Sequence, residues 1–233
     1  MMTEQEIMDL FAKAGALLSG HFVLSSGLHS ENYINKNALY TGYEIHLLCK
    51  ELVGKLSASV LEATEVVLGP ATGGIVLSRL AADYITKRTR KRPLSVYADI
   101  LPNGNYVIRR GYDKLVAKKR VLVVDDILTT GGSVKKVLEA LDLNSADVLG
   151  AAVLCNRGKV TAEMLKVPEL VSLVHYDLDS WTEEECAKSG PCSKNIPVNK
   201  DVGKGADFYI RKMERDILDA ANRAVQEVFG KKK

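Results

Sequence analysis

Residues 121–134, V-L-V-V-D-D-I-L-T-T-G-G-S-V, join an apolar run to two adjacent carboxylates and a Thr/Gly/Ser turn. The apolar run reads as a buried strand, and the residues from about Gly132 to Leu141 read as a helix. Small residues between a strand and a helix N-terminus let backbone amides converge on an anion, and the helix dipole favours its charge. Thr129, Thr130 and Ser133 add hydroxyl donors, so the turn is built as a phosphate cradle. It has neither the G-x-x-x-x-G-K-[ST] spacing of a Walker loop nor G-x-G-x-x-G. Asp125 and Asp126 supply the other half of the pattern. An ionised carboxylate only accepts hydrogen bonds, so the pair suits the 2- and 3-hydroxyls of a ribose, directly or through magnesium and its waters. Capping the next helix needs one acid, not two. The ligand described by this pattern is a sugar phosphate.

Working outward, E-V-V-L-G (65–69) reads as a buried strand, followed by P-A-T-G-G-I and a helix from about Val76 to Thr86. Residues 93–101 read as a strand, and Asn103-Gly104 signals a hairpin leading to N-Y-V-I-R-R. Further strands are expected at 120–125, 147–155 and 170–175. Strand, Gly-rich turn, helix and strand in repetition argue for a parallel sheet with helices on its faces, whose ligands sit at the carboxyl ends of the strands. Both Gly-rich turns, 69–74 and 129–133, fall at such ends. Residues 3–18 carry apolar positions Ile7, Leu10, Phe11, Ala14, Leu17 and Leu18 at helical spacing, with Thr3 and Glu6 shaped as a capping box. Residues 21–37 read as short strands around a Ser/Gly turn, 43–57 as a second amphipathic helix, and 207–229 as a third. The terminal Lys231–Lys233 are expected to fray.

The chain has 233 residues, 46 % hydrophobic and 26 % charged, which fits one soluble domain spanning 1–233. Within it an N-terminal hood with helices is expected over 1–60, a core sheet over 61–178, and a Cys-containing loop with a C-terminal helix over 179–233. The net charge of +3 does not argue for a nucleic-acid or membrane partner. No apolar run approaches the ~20 residues of a membrane span, and the N-terminus lacks a signal-peptide pattern, so a cytoplasmic location is expected. Cys186 and Cys192 stand in a C-x5-C spacing without a second tight pair nearby. Two incidental thiols on a loop are the favoured reading, with zinc or a local redox pair as alternatives. His21, His29, His46 and His175 offer no convincing metal pair in the sequence.

Residues 121–133 resemble the phosphoribosyl pyrophosphate (PRPP) signature of the type I phosphoribosyltransferases: four apolar residues, two acids, two apolar residues and a Thr/Gly/Ser loop. The resemblance implies an α/β fold, with a central parallel sheet flanked by helices and a small N-terminal hood. It implies PRPP binding by Asp125, Asp126, Ile127, Leu128, Thr129, Thr130, Gly131, Gly132 and Ser133, the loop on the 5-phosphate and the acids toward the ribose. G-P-A-T-G-G-I (69–75) is similar to the family's pyrophosphate turn, which adds Ala71, Thr72, Gly73 and Gly74. F-V-L-S-S-G-L-H-S-E-N-Y-I-N (22–35) is similar to the N-terminal element of orotate phosphoribosyltransferases, placing Tyr33 and Ile34 against the orotate ring, with Asn35 ending the motif. C-N-R-G (155–158) resembles the family position of an arginine that contacts orotate. The guanidinium fork of Arg157 suits a carboxylate or ring carbonyl, and the family places Thr129 near orotate as well as PRPP.

Two departures accompany the resemblance. Ser25 and Gly73 stand where the family commonly carries lysines, and D-I-L-P-N-G-N-Y-V-I-R-R-G-Y-D-K-L (99–115) replaces the usual R-K-x-x-K-x-H mobile loop. This segment, with E-E-C-A-K-S-G-P-C (184–192), resembles a smaller branch that carries R-R-G-[FY] and a C-terminal Cys-containing loop. Arg109 and Arg110 then become the candidate catalytic cations for the leaving pyrophosphate, with Lys114 and Lys36 behind them. Strand alternation would let only one of the two arginines face a given side, and Arg110 is preferred. The implied reaction joins orotate and PRPP to give orotidine 5-monophosphate and pyrophosphate in a homodimer, with Mg2+ reached through PRPP and water near Asp125 and Asp126. The alternatives are a purine or xanthine phosphoribosyltransferase and a non-catalytic PRPP-sensing regulator. The first usually reads its base with a C-terminal hood, and the second normally brings a winged-helix lobe or a basic RNA face; residues 22–35 carry the orotate-like element instead.

Overall fold

The computed structural model describes residues 1–229; Lys231–Lys233, expected to fray, lie outside the described residues. Nine strands occur among the described residues: β1 (Leu17–Val23), β2 (His29–Ile34), β3 (Val66–Pro70), β4 (Leu94–Ile100), β5 (Tyr106–Val107), β6 (Arg120–Leu128), β7 (Asp147–Asn156), β8 (Leu170–His175) and β9 (Ser180–Trp181). The chain forms two compact units. The larger comprises Met1–Ala16 and Lys36–Asp177, the smaller Leu17–Asn35 and the chain from Leu178 onward. The segment 1–60, expected as an N-terminal hood with helices, contributes residues to both. Its first helix, Glu4–Lys13, buries Ile7, Leu10 and Phe11 and packs with the helix Glu44–Lys55 and with β8, which ties it to the sheet.

In the larger unit the sheet order is β5-β4-β3-β6-β7-β8. Only β5 runs antiparallel to its neighbour. Numbered along the chain, the five parallel strands stand in the order 2-1-3-4-5, a doubly wound sheet whose connections diverge between β3 and β6. Every residue of β3 is buried, as its unbroken apolar run requires for a strand covered on both faces. The helices Gly73–Thr89 and Gly132–Asp142 carry the chain back after β3 and β6. Val134, Val137 and Leu141 of the second join Val66, Leu68, Val121, Val123 and Val153 of the sheet in one buried cluster.

Local differences from the expected elements have local causes. The Thr3–Glu6 capping box forms, but the first helix ends at Lys13 rather than Leu18. Gly15 at φ +70° stops it, and Leu17 and Leu18 instead pair with Ile34 and Tyr33 in the β1–β2 hairpin. The Asn103-Gly104 turn makes the expected hairpin, but β5 is only two residues long and pairs Ile100 with Tyr106.

The smaller unit is a three-stranded sheet in the order β1-β2-β9, with the helix Glu183–Ser189, a 3-10 turn Pro191–Lys194 and the helix Gly205–Phe229. One of its buried apolar clusters holds only Val23, Val198 and Phe208, with Tyr209 packed against it. No helix among the described residues is long and apolar enough to cross a membrane.

Candidate active site

The pairing of Leu68 with Val123 brings Gly69–Ala71 level with Val124–Asp126. Both Gly-rich turns thus leave the sheet side by side at the switch point, where an open α/β sheet binds its ligand. At the first turn, the Ala71 amide donates to the Ala98 carbonyl at 2.9 Å, the Ala71–Thr72 peptide is cis, and the helix begins at Gly73. Amides of the first helical turn have no partner inside the helix, which leaves the turn equipped for an anion. Gly74 packs directly on the strand: a Cβ there would stand 2.6 Å from Pro70 Cδ and 2.7 Å from Gly69 Cα.

Asp125 and Asp126, at the end of β6, are 6 % and 1 % exposed. Each carboxylate is tied to the following amide: Asp125 Oδ1 accepts from Asp126 N–H at 2.8 Å, and Asp126 Oδ1 from Ile127 N–H at 2.7 Å. Asp126 Oδ2 also accepts from the Tyr40 hydroxyl at 2.9 Å, and Lys36 Nζ lies 3.4 Å from Asp126 Oδ1. Burial, with the neighbouring Asp126 charge, pushes the Asp125 carboxyl up to about 7. Burial next to Asp126 likewise raises the Tyr40 phenol. Desolvation opposes the Lys36 charge, but Asp126 and Asp125 outweigh it and raise its pKa.

Lys36, expected as a lesser pyrophosphate cation, is thus paired with Asp126, because residue 36 opens a short helix beside the strand end. Tyr40 was not legible as a site residue. The one signal for it is its place four residues after Lys36, one helical turn away. A Cβ on Gly73 would run into Asp126 Oδ2 and stand 2.6 Å from the Tyr40 hydroxyl. The space that a longer side chain at 73 needs is filled by this pair. Gly73→Lys, which installs the residue common in the family, is therefore expected to lower kcat/KM by about tenfold or more, by displacing Asp126. Steady-state kinetics with PRPP as the varied substrate checks this; a gain in kcat/KM would show that the missing cation, not the packing, limits the turn.

The second turn is the one expected from the sequence to cradle a phosphate. Gly131, at φ +76°, caps the helix Gly132–Asp142, and Thr129, Thr130 and Ser133 are exposed. Ile127 is half-buried and Leu128 is buried, so both hold the cradle to the sheet. The loop after β7 closes against it: Arg157 N–H donates to the Leu128 carbonyl at 2.7 Å, and a Cβ on Gly158 would overlap the Thr129 carbonyl. Asn156 folds that loop by donating to the Val160 carbonyl at 2.7 Å and accepting from Val160 N–H at 3.2 Å. Arg157 and Thr129 are therefore brought together. Asn156 and Gly158 flank Arg157 in C-N-R-G, yet nothing in the sequence alone marked them.

Arg109 Nε and Arg110 Nε donate to the same oxygen, Asp99 Oδ2, at 2.6 and 2.9 Å. The expectation that only one arginine can face a given side fails here, because β5 ends at Val107 and Arg110 takes a left-handed φ of +64°. The two guanidinium groups hold the Asp99 carboxyl below its ordinary pKa. Two cations on one carboxylate leave the cluster with a net positive charge. Asp99 directly follows Ala98, the residue that anchors the Ala71 amide. Lys114 is exposed on the short helix Tyr112–Val116.

Tyr33 and Ile34 lie in the smaller unit, where the Tyr33 ring stacks on Phe22 with centroids 5.5 Å apart and Ile34 is buried. His21 and His29, read from the sequence as offering no convincing metal pair, are brought together. The hairpin sets their ring nitrogens 2.8 Å apart, and Cys186 and Cys192 join them in one cluster. Sequence separation hid this, since the cysteines lie more than 150 positions further along the chain. His46 stacks on Tyr43, and His175 is bonded to the Ser172 hydroxyl.

Comparison with known proteins bears on this geometry. The family model for the phosphoribosyl transferase domain matches residues 36–188. An orotate phosphoribosyltransferase of Pelotomaculum thermopropionicum is 36 % identical over 201 residues, covering 85 % of this chain and 97 % of the relative. One from Bartonella henselae is 38 % identical over 207 residues, covering 84 % and 100 %. The crystal structure of orotate phosphoribosyltransferase from Aeropyrum pernix superposes with a TM-score of 0.54 at 30 % identity, over 72 % of this chain and 93 % of that one. Matched by the family model over most of its length, and by the two sequence relatives over 85 % and 84 % of it, the chain belongs to the phosphoribosyl transferase family, on its orotate phosphoribosyltransferase branch.

Proposed function

We propose that this chain transfers the phosphoribosyl group of PRPP to orotate, giving orotidine 5-monophosphate and pyrophosphate, a step of pyrimidine biosynthesis. The observation that carries the reading is the meeting of two Gly-rich anion turns with a buried Asp125–Asp126 pair at the switch point of a doubly wound sheet. The names of the relatives at 36 % and 38 % identity supply the base.

The ribose C1 becomes positive as pyrophosphate departs, so the chain must hold the leaving charge and aim the ring nitrogen of orotate. The cradle at 129–133 takes the 5-phosphate, and Asp125 and Asp126 accept from the ribose hydroxyls. The turn at 71–74 and the Arg109–Arg110 cluster receive the pyrophosphate, and Arg157 presents its fork to orotate. No protein nucleophile is required. The oxygen-only ligand atoms of Asp125 and Asp126 suit Mg2+ held through water and PRPP. When bound, that ion supplies neutralising charge to the pyrophosphate oxygens. A homodimer in the cytoplasm, without nucleic-acid or membrane partners, completes the proposal; sedimentation of the full chain tests the dimer.

The deciding assay follows the loss of orotate absorbance on mixing with PRPP and Mg2+, with adenine, guanine, xanthine and uracil in parallel. Orotate alone should turn over. Pyrophosphate release with a purine instead would overturn the base assignment, and tight PRPP binding without any turnover would make the chain a sensor. Arg157→Lys loses the planar fork while keeping the charge. It is expected to raise the KM for orotate by roughly 10- to 100-fold and to leave the KM for PRPP within about twofold. Equal losses for both substrates would assign Arg157 to the loop fold rather than to orotate.

A further inference from the structure

Four side chains of the smaller unit play no part in the chemistry above. His21, His29 and Cys186 are buried to 2 %, 1 % and 0 % exposure, Cys192 is half-buried, and one ligand atom from each lies within 4.8 Å of the others. We propose that these four residues bind one structural zinc ion, through Nε2 of His21, Nδ1 of His29 and both sulfurs.

The distances fit. Bond lengths of about 2.05 Å to nitrogen and 2.3 Å to sulfur give a tetrahedron with edges of about 3.3 Å for N···N, 3.6 Å for N···S and 3.8 Å for S···S. The Cys186 and Cys192 sulfurs both lie 3.7 Å from His21 Nε2, and the Cys192 sulfur lies 3.5 Å from His29 Nδ1. The two ring nitrogens, at 2.8 Å, need to open by about half an ångström to admit the ion. Two thiolates cancel the charge of a divalent ion, which makes a neutral site fit for burial, and N2S2 ligation favours zinc.

The surroundings hold each ligand in place. His21 Nδ1 lies 2.7 Å from the Ile196 carbonyl, which keeps its proton there and leaves Nε2 as a bare lone pair facing the cluster. A register shift between Ser19 and Phe22 re-aims β1 around His21, and His29 heads β2 opposite Val23. On the other side, the Thr182–Glu185 capping box starts the helix that carries Cys186. Gly190 lets the chain fold back over that residue, since a Cβ there would stand 2.9 Å from the Cys186 sulfur. Pro191 then opens the turn that delivers Cys192, whose amide donates to the Cys186 sulfur at 3.3 Å. One helical turn followed by a Gly-Pro reversal explains why the spacing is C-x5-C rather than the tighter pair common in zinc sites.

The site also answers a structural need. Its ligands come from the hairpin and from the segment after Leu178, which lie far apart in sequence and pair as strands only over the short β2–β9 ladder, and the cluster of Val23, Val198 and Phe208 is small. Small units of this kind commonly depend on a metal or disulfide staple. With all four positions taken by protein atoms, no site is left for water or substrate, so the ion is structural.

The inference is independent of the transferase reaction, and its test reads the metal itself. Full-length protein, purified without a His tag and with zinc in the growth medium, should carry about one zinc per chain by mass spectrometry. Cobalt(II) loaded in its place should show the intense visible bands of tetrahedral thiolate coordination. Cys192→Ser, at the more accessible ligand, should reduce zinc retention after dialysis by at least about tenfold. Removing zinc from the wild type with a strong chelator should lower its melting temperature. Zinc-free protein from zinc-supplemented cells would overturn the proposal, as would a Cys186–Cys192 disulfide, or an octahedral cobalt spectrum unchanged in Cys192→Ser.

Discussion

Asp125→Asn is expected to make the ligand-free chain more stable at pH 8 while lowering kcat/KM for PRPP by at least about 100-fold. The two effects have one origin. Asp125 is buried beside a second carboxylate, and its pKa is pushed up to about 7 from an ordinary value of 3.8. The folded state therefore holds the proton more tightly than the unfolded chain does. Below pH 4 both states are protonated and the residue carries no penalty. Between pH 4 and 7 the unfolded chain loses its proton first, so the penalty grows, and above pH 7 it is fully present. At 1.36 kcal/mol per unit the full shift corresponds to about 4 kcal/mol. Coupling to Asp126 and the retained polarity of Asn reduce the expected gain to roughly 1–2 kcal/mol. Asn can still accept from the Asp126 amide, so the strand end keeps its geometry. Thermal melts from pH 4 to 8 should show the advantage of Asn appearing as pH rises and vanishing near pH 4. A variant less stable than wild type at pH 8 would mean that Asp125 is stabilised in its charged form, and that the strained-acid account of this site is wrong. On the proposed role of Asp125, the wild-type chain keeps this instability in exchange for a charged acceptor for the ribose hydroxyls.

Gly158→Ala should be the most disruptive single methyl in the larger unit outside the turn at 69–74. Its Cβ would overlap the Thr129 carbonyl, which is backbone and can yield only if the cradle moves. The loop holding Gly158 cannot retreat freely either, because Arg157 N–H is bonded to the Leu128 carbonyl and Asn156 bonds Val160 twice. A stability loss of roughly 2–4 kcal/mol is expected, as for other overpacked positions with rigid neighbours. An ångström of displacement at Thr129 should also lower kcat/KM by about 100-fold, with PRPP affinity falling alongside. A PRPP titration by calorimetry, run beside a thermal melt, separates binding from stability. Affinity equal to wild type would mean that the cradle tolerates the shift and that residues 129–133 do not hold the 5-phosphate as proposed.

Much of the larger unit was legible in the chain because its signals are local. Continuous apolar runs identify β3, β6 and β7, since a strand covered on both faces has no polar side to show. The Thr/Gly/Ser turn after Asp126 reads as an anion cradle because the residues that free the backbone are contiguous. The chain also carried the family resemblance, which the matched relatives bear out. Misreadings came where a distant residue decides. Leu17 and Leu18 have helical spacing, but pairing with Tyr33 and Ile34 outweighs it once Gly15 ends the helix. Arg109 and Arg110 appeared to alternate, but Asp99 gathers both because the strand has already ended.

By itself, then, the sequence determined the kinds of element, the two Gly-rich turns and the acidic pair, since each depends on residues within a turn or a strand of one another. The tertiary structure alone decided the strand order that sets the two turns side by side, the support of Asp126 by Tyr40 and Lys36, and the closing of Gly158 on Thr129. It alone gathered His21, His29, Cys186 and Cys192 into one cluster. Each of these depends on chain segments far apart in sequence whose meeting is fixed by burial and strand pairing, and no local pattern records which partners those forces select.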